Sequence, residues 1–285
     1  MSGFVWLASY PKSGNTWFRL LLANLFSNDP YPADINQLPS EIASSRRTFD
    51  YLTLIESGLL TADEADSLRP SVYKELANGA PGDECDIVRP IRFLKVHDAY
   101  ARNVLDGARA AILIVRDPRA IAPSLANHNG TSIDAAIDLL NDANAAAFSG
   151  TDNQPPQLRW KIPGWSGHTQ SWLDQRDIPV HFVRYEDLAR DTVNVFTAAM
   201  DFAGHSIARA DAERAAKFSN FSRAKAQERE HGFAEAARRG SIFFRKGEAD
   251  AWRNELSAAQ IARIEEAHGP MMRQLGYSEA GCCEP

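Results

Sequence analysis

The chain has 285 residues, a net charge of −6, and hydrophobic and charged fractions of 44% and 24%. That suits one large α/β domain and excludes the basic excess typical of nucleic-acid or anionic-membrane binders, so any phosphate site must be a local concentration of donors. Its three cysteines, Cys85, Cys282 and Cys283, form neither a disulfide framework nor a metal-ligand spacing, and ordinary thiols in a reducing compartment account for them. Regular structure is predicted from Phe4, which leaves no room for a signal peptide, and no apolar run reaches transmembrane length. The expectation is a cytoplasmic protein without nucleic-acid or membrane partners.

In chain order, Gly3–Ser9 (GFVWLAS) reads as a buried strand, and Asn15–Phe26 as a helix with Trp17, Leu20, Leu21 and Asn24 on neighbouring rows. Residues 44–79 read as two helices, the second opened by a capping box of Thr61 and Glu64. Phe93–Val96 is a short strand running into His97. Ala110–Val115 is another, followed by a turn at Arg116-Asp117-Pro118 and a helix. Residues 132–148 read as one helix. Residues 149–168, rich in Pro and Gly and carrying Trp160 and Trp165, read as a long loop, with a helix from His168. Pro179–Tyr185 is a strand. A helix stopping at Gly204 follows it, then charged helical sequence over 208–231, an irregular basic stretch, and a last helix over 257–277. Strands alternating with helices predict a central parallel sheet flanked by helices, in a single domain.

Three junctions are rich in anion donors. In Ser9–Thr16 (SYPKSGNT) a strand meets a helix through a turn holding Lys12, Ser13 and Gly14. Free backbone N–H groups and the helix dipole favour an anion there, Lys12 adds a full charge, and Gly14 permits a close backbone approach. The turn is too short for GxxxxGK[ST], and its lysine precedes the glycine, so it is P-loop-like without being a nucleoside-triphosphatase loop. Arg116 leaves a strand end, where ligands gather in open α/β sheets, with Ser124 eight residues on in the following helix. Arg245-Lys246-Gly247 follows an aromatic pair and can wrap a phosphate. Read singly, the second and third fit a solvated surface better than a phosphate site. His97, at a strand end, fits a general base for an alcohol or a plain core histidine.

Together and in this order, these segments resemble the PAPS-dependent sulfotransferase family, in its soluble small-molecule branch (PAPS is 3′-phosphoadenosine 5′-phosphosulfate, PAP its desulfated product). SYPKSGNTW is similar to the family's 5′-phosphosulfate loop, VRDPRAIAPSLANH to its 3′-phosphate motif, KVH to the segment carrying the catalytic base, and RKGEADAW to RKGxxGDW. VRYEDL (Val183–Leu188) and FSNFSRAK (Phe218–Lys225) resemble its adenine-contacting segments. The resemblance spans Ser9–Trp252 and implies a sulfuryl transfer to a small-molecule hydroxyl, with PAPS as co-substrate and no metal. It assigns Lys12 to the bridging oxygen and the departing PAP, and Ser13, Gly14, Asn15 and Thr16 to the phosphosulfate. Trp17 and Phe221 flank the adenine, and Tyr185 and Ser219 meet its edge or the ribose. Arg116, Ser124, Arg245, Lys246 and Gly247 hold the 3′-phosphate, and His97 takes the acceptor's proton. As isolated residues, Trp17, Phe221 and Tyr185 fit core positions as well.

Asp250-Ala251 stands where the family has Gly-Asp, which predicts altered loop packing beside an intact phosphate-binding part. Arg253–Ala262 does not match the family's dimer motif KxxxTVxxxE, which leaves the oligomeric state unassigned. Acceptor-binding insertions fall at about 31–92, 149–168 and 232–244. Within them Trp160, Trp165, Phe233, Phe243 and Phe244 either line an apolar pocket or pack the loops on the core. Two rival readings stand beside this one. A small-molecule kinase using the Lys12 loop predicts a longer Gly-rich loop and a Mg²⁺ carboxylate. A non-catalytic PAP- or PAPS-binding protein has no need of both Lys12 and His97.

Overall fold

The structure, a computed structural model, describes residues 3–27, 29–38, 41–79, 91–148, 155–236 and 242–277. Cys85, Cys282, Cys283 and parts of the three insertions lie outside the described residues. The chain runs β1 (Phe4–Ser9), α1 (Asn15–Phe26), β2 (Glu41–Ile42), α2 (Arg46–Thr53), α3 (Ala62–Ala77), β3 (Arg92–Val96), β4 (Ala110–Val115), α4 (Pro118–Asn129) and α5 (Ile133–Asn141). It continues through β5 (Ala146–Ala147), β6 (Trp160–Lys161), α6 (Gly164–Asp174), β7 (Val180–Arg184), α7 (Tyr185–Arg190), α8 (Thr192–Phe202), α9 (Arg209–Phe218), α10 (Phe221–His231) and α11 (Ala258–Gln274).

Five strands form one parallel sheet in the order β2-β3-β1-β4-β7. β1 and β4 are buried along their whole length. Their alternation divides the core in two: Phe4, Trp6, Ala8, Ala111, Leu113 and Val115 pack on one face, and Val5, Leu7, Ala110, Ile112 and Ile114 on the other. Helices cover both faces, so the doubly covered parallel sheet expected from the pattern is present. Among the described residues no helix is long and apolar enough to cross a membrane.

The sequence expectations needed correction in the connections. α5 stops at Asn141 because the Asp142 carboxylate takes the Asn144 N–H at 2.8 Å, a local turn that competes with the helix. The next residues run back as β5, which pairs antiparallel with β6 inside the stretch expected to be loop. α6 also begins inside that stretch, at Gly164 (φ 58°). The helix expected before Gly204 is two, because Asp191 leaves helical geometry (φ −140°) and its side chain caps α8 at the Asn194 N–H. Asn220 divides the 208–231 stretch in the same way, accepting from the Ser222 N–H. The capping box at Thr61 and Glu64 is formed, and a second joins Ser257 and Gln260 at the start of α11.

Candidate active site

Four of the five parallel strands, β3, β1, β4 and β7, end on one edge of the sheet. Ala8 pairs with Val96, Ser9 with Ile114 and Val115 with Arg184. The residues that follow are therefore His97 after β3, the Tyr10–Gly14 turn after β1, Arg116 after β4 and Tyr185 after β7. These are the carboxyl ends of the strands, where an open α/β sheet receives its ligands.

The turn after β1 is bent by two left-handed residues, Lys12 (φ 69°) and Gly14 (φ 105°). A side chain at position 14 would have its Cβ 2.6 Å from the Tyr185 ring, so glycine is required by both conformation and space. Lys12 has no such freedom, and a non-glycine residue held there carries strain of about 1–2 kcal/mol, of the kind that persists at functional sites. Ser13 is fully buried, and its hydroxyl has no hydrogen-bond partner among the described residues. Thr16 is buried in the first turn of α1. The Asn15 amide turns back to the Leu7 carbonyl (3.0 Å) and the Ser9 hydroxyl (3.2 Å), tying the helix start to the strand. The Lys12 ammonium lies 3.5 Å from the centre of the Phe243 ring. Burial, and then Lys95 and Arg116, lower its pKa to about 7, against the opposing pull of Glu235 and Glu228.

His97 is buried. Its Nδ1 lies 2.7 Å from the Ser9 carbonyl, which only accepts, so Nδ1 carries the proton and Nε2 holds the free lone pair. Burial, then Lys95, push its pKa well below the ordinary value and keep it neutral. Trp160 packs on the ring with centroids 5.0 Å apart. Behind it, Arg69 is buried and grips the next residue, Asp98, at 2.7 and 3.2 Å, while the Trp172 indole donates to the Asp98 carbonyl.

Arg116 joins the first and third anion-donor segments. Its guanidinium donates to the carbonyls of Lys12 and Glu248, both at 3.3 Å, and stacks over the Tyr185 ring at 4.2 Å. Its Nε is buried without a partner among the described residues. Ser124, half-buried on α4, makes no hydrogen bond among the described residues. Trp17 meets the Tyr185 ring edge-on at 5.6 Å, and its indole donates to the Ser219 carbonyl. Ser219 is fully buried and its hydroxyl accepts from Asn24, so in this structure it fastens α1 to the end of α9. Gly247 (φ 74°) lies against Phe221, where a Cβ would fall 2.5 Å from the ring, and its carbonyl accepts from the Tyr185 hydroxyl at 3.3 Å. Arg245 and Lys246 both pair with the Glu255 carboxylate, Lys246 at 3.1 Å. From Ala251, with Asp250 as its cap residue, the chain makes a short 3-10 turn, and Trp252 is buried beneath Arg119.

Besides Arg69, Asp98 and Glu228, five charged or titratable groups escaped the sequence reading. Glu235 bridges Arg19 (2.6 Å) and Lys95 (3.0 Å). Burial opposes its ionisation, but Lys95 and Arg19 outweigh burial and bring its pKa to about 2. His128 meets Phe243, and burial followed by Lys12 and Lys95 lowers its pKa to about 4. Glu255 is the fifth. Two of them left a signal: Lys95 shares a strand face with His97, two residues on, and His128 shares a helix row with Ser124. Of the aromatic residues nominated for the acceptor side, Trp165 is fully buried and donates to the Arg116 carbonyl, while Phe233, Phe243 and Phe244 form one cluster.

A buried unpartnered hydroxyl, a buried unpartnered guanidinium Nε and two glycines pressed against aromatic rings meet at one sheet edge. The chain matches the sulfotransferase domain family over residues 3–276 and belongs to it. Mouse sulfotransferase SULT7A1, solved with PAP, is similar in fold: 19% identity over 96% of this chain and 86% of that one, TM-score 0.59. Retinol dehydratase is similar in two complexes. With retinol and PAP it shows 19% identity over 99% and 83% of the two chains, TM-score 0.58, and with androsterone and inactive cofactor PAP 18% over 99% and 82%, TM-score 0.57. No curated protein matches by sequence.

Proposed function

We propose that the protein transfers the sulfuryl group of PAPS to the hydroxyl of a small-molecule acceptor. The observation that carries this reading is the position of His97, with its free Nε2, directly after the strand next to the one that presents Lys12. A proton acceptor and a cation on adjacent strand ends suit an in-line displacement at sulfur, where one oxygen gives up a proton and another gains charge. PAPS supplies the activated sulfur and a stable leaving group.

His97 Nε2 takes the acceptor's proton as the new O–S bond forms. Lys12 faces the oxygen on which charge collects as the S–O bond to PAP breaks. Ser13 and the first N–H groups of α1 hold the 5′ side, and Arg116, Ser124 and Arg245–Gly247 hold the 3′-phosphate. Trp17, Phe221, Tyr185 and Ser219 form the adenosine side. His97 is a weak base while burial and Lys95 hold its pKa down. An anion set among Lys12 and Lys95 offsets that field and strengthens the base, which couples base strength to donor binding.

The test is PAP release from PAPS against a panel of alcohols and phenols. Wild type turns over with at least one acceptor, and His97→Ala lowers kcat by about a thousandfold with PAP affinity nearly unchanged. Full activity in His97→Ala contradicts the assignment of the base, and no turnover with any acceptor favours a binding protein.

A further inference from the structure

The segment that carries Arg245-Lys246-Gly247 has no helix or strand of its own between Ile242 and Asp250. What shapes it is α10. Phe221, Lys225 and Glu228 are spaced i, i+4, i+7 and so lie along one face of that helix. Each touches the segment at a different residue. The Glu228 carboxylate accepts the backbone N–H of Phe243 (2.5 Å) on one oxygen and of Phe244 (2.9 Å) on the other. The Lys225 ammonium donates to the Arg245 carbonyl at 3.0 Å. The Phe221 ring covers Gly247.

We propose that Lys225 and Glu228 are positioning residues for 3′-phosphate recognition, setting the backbone of 243–247 so that Arg245, Lys246 and the Gly247 N–H face one anion. This rests on reading Arg245–Gly247 as the 3′-phosphate segment. Two adjacent N–H groups beside a buried ring need acceptors, and a carboxylate is the one side chain that offers a separate oxygen to each without a competing donor. A glutamine presents one oxygen and one NH₂, so one of the two N–H groups would face a donor. Lys225 fixes the carbonyl just beyond and thereby the direction in which the Arg245 side chain leaves the backbone.

The experiment compares PAP with ADP, which lacks the 3′-phosphate, by calorimetric titration of wild type, Glu228→Gln and Lys225→Met. The expected result is PAP affinity weakened about tenfold in Glu228→Gln and about threefold in Lys225→Met, with ADP affinity unmoved. Hydrogen exchange of the ligand-free Glu228→Gln protein supplies a second readout, with faster exchange at the Phe243 and Phe244 amides and no change in β1 or β4. Parallel losses for PAP and ADP would mean that Glu228 only supports the fold, and would overturn the inference. So would unchanged PAP affinity with unchanged exchange. If wild type itself fails to prefer PAP over ADP, the 3′-phosphate reading has failed, while the exchange data still report whether Glu228 shapes the segment.

Discussion

The two anion-donor segments of the cleft are built in opposite ways. The Tyr10–Gly14 turn is clamped between a fully buried strand and a helix that begins at the next residue, and its own glycine and strained lysine set its shape. The Phe243–Gly247 segment lacks regular structure and is shaped from outside, by Glu228 and Lys225 on α10, the Phe221 ring, Arg116 across the cleft and Glu255 beyond it. The first is rigid by construction, as the proposed site of bond breaking requires. The second depends on its neighbours, so the proposed mechanism assigns its effects to binding.

The sharpest way to break this comparison is to remove one cation from each segment. Lys12→Ala should lower kcat by about a thousandfold, the scale seen when one stabiliser of developing charge is lost. Arg245→Ala should instead raise KM for PAPS by about ten- to a hundredfold and leave kcat nearly intact, because it removes binding shared by ground and transition states. Steady-state kinetics with saturating acceptor decide it, and equal kcat losses in both variants would erase the distinction.

The two glycines give the next test. Gly14→Ala combines a left-handed φ with a clash against Tyr185 in a frame that cannot yield, and should destabilise the fold by about 2–5 kcal/mol. Gly247→Ala meets Phe221 at a similar distance, but its segment can move away, so PAP affinity should fall about tenfold with stability lowered by only about 1 kcal/mol. Urea denaturation beside PAP titration measures both.

The most gradual effect is in the pH profile. The proposed mechanism requires Lys12 charged and His97 neutral in the free enzyme. With Lys12 near 7, kcat/KM for PAPS should fall towards tenfold per unit above that pH. With His97 held well below its ordinary value, the acid limb should lie clearly below 6.5. A flat profile from 7 to 9 would show that the Lys12 charge is not what captures the donor.

The same contrast explains what was legible beforehand. β1 and the Lys12 turn announce themselves because an apolar run, a glycine and a helix start follow one another directly in the sequence, and β4 announces itself by an apolar run of its own. α5 was overextended because the Asp142 side chain competes with the helix, a choice that alanine-rich sequence around it conceals. Glu228, Glu235 and Glu255 were invisible for another reason. Each carboxylate acts on residues brought near only by the fold, Glu235 on Arg19 and Lys95 above all, and no local pattern marks it. Lys95 was readable, since a lysine two residues before His97 along one strand has to face the same side.

The central claim is that two differently built segments converge on one nucleotide carrying a phosphate at each end. Calorimetric titration of the wild-type protein with PAP, beside ADP, tests it most directly. The account predicts tight, one-to-one PAP binding and much weaker ADP binding, because only PAP engages Arg116 and Arg245–Gly247 together with the Lys12 turn. Equal affinities, or no binding of PAP, would contradict it.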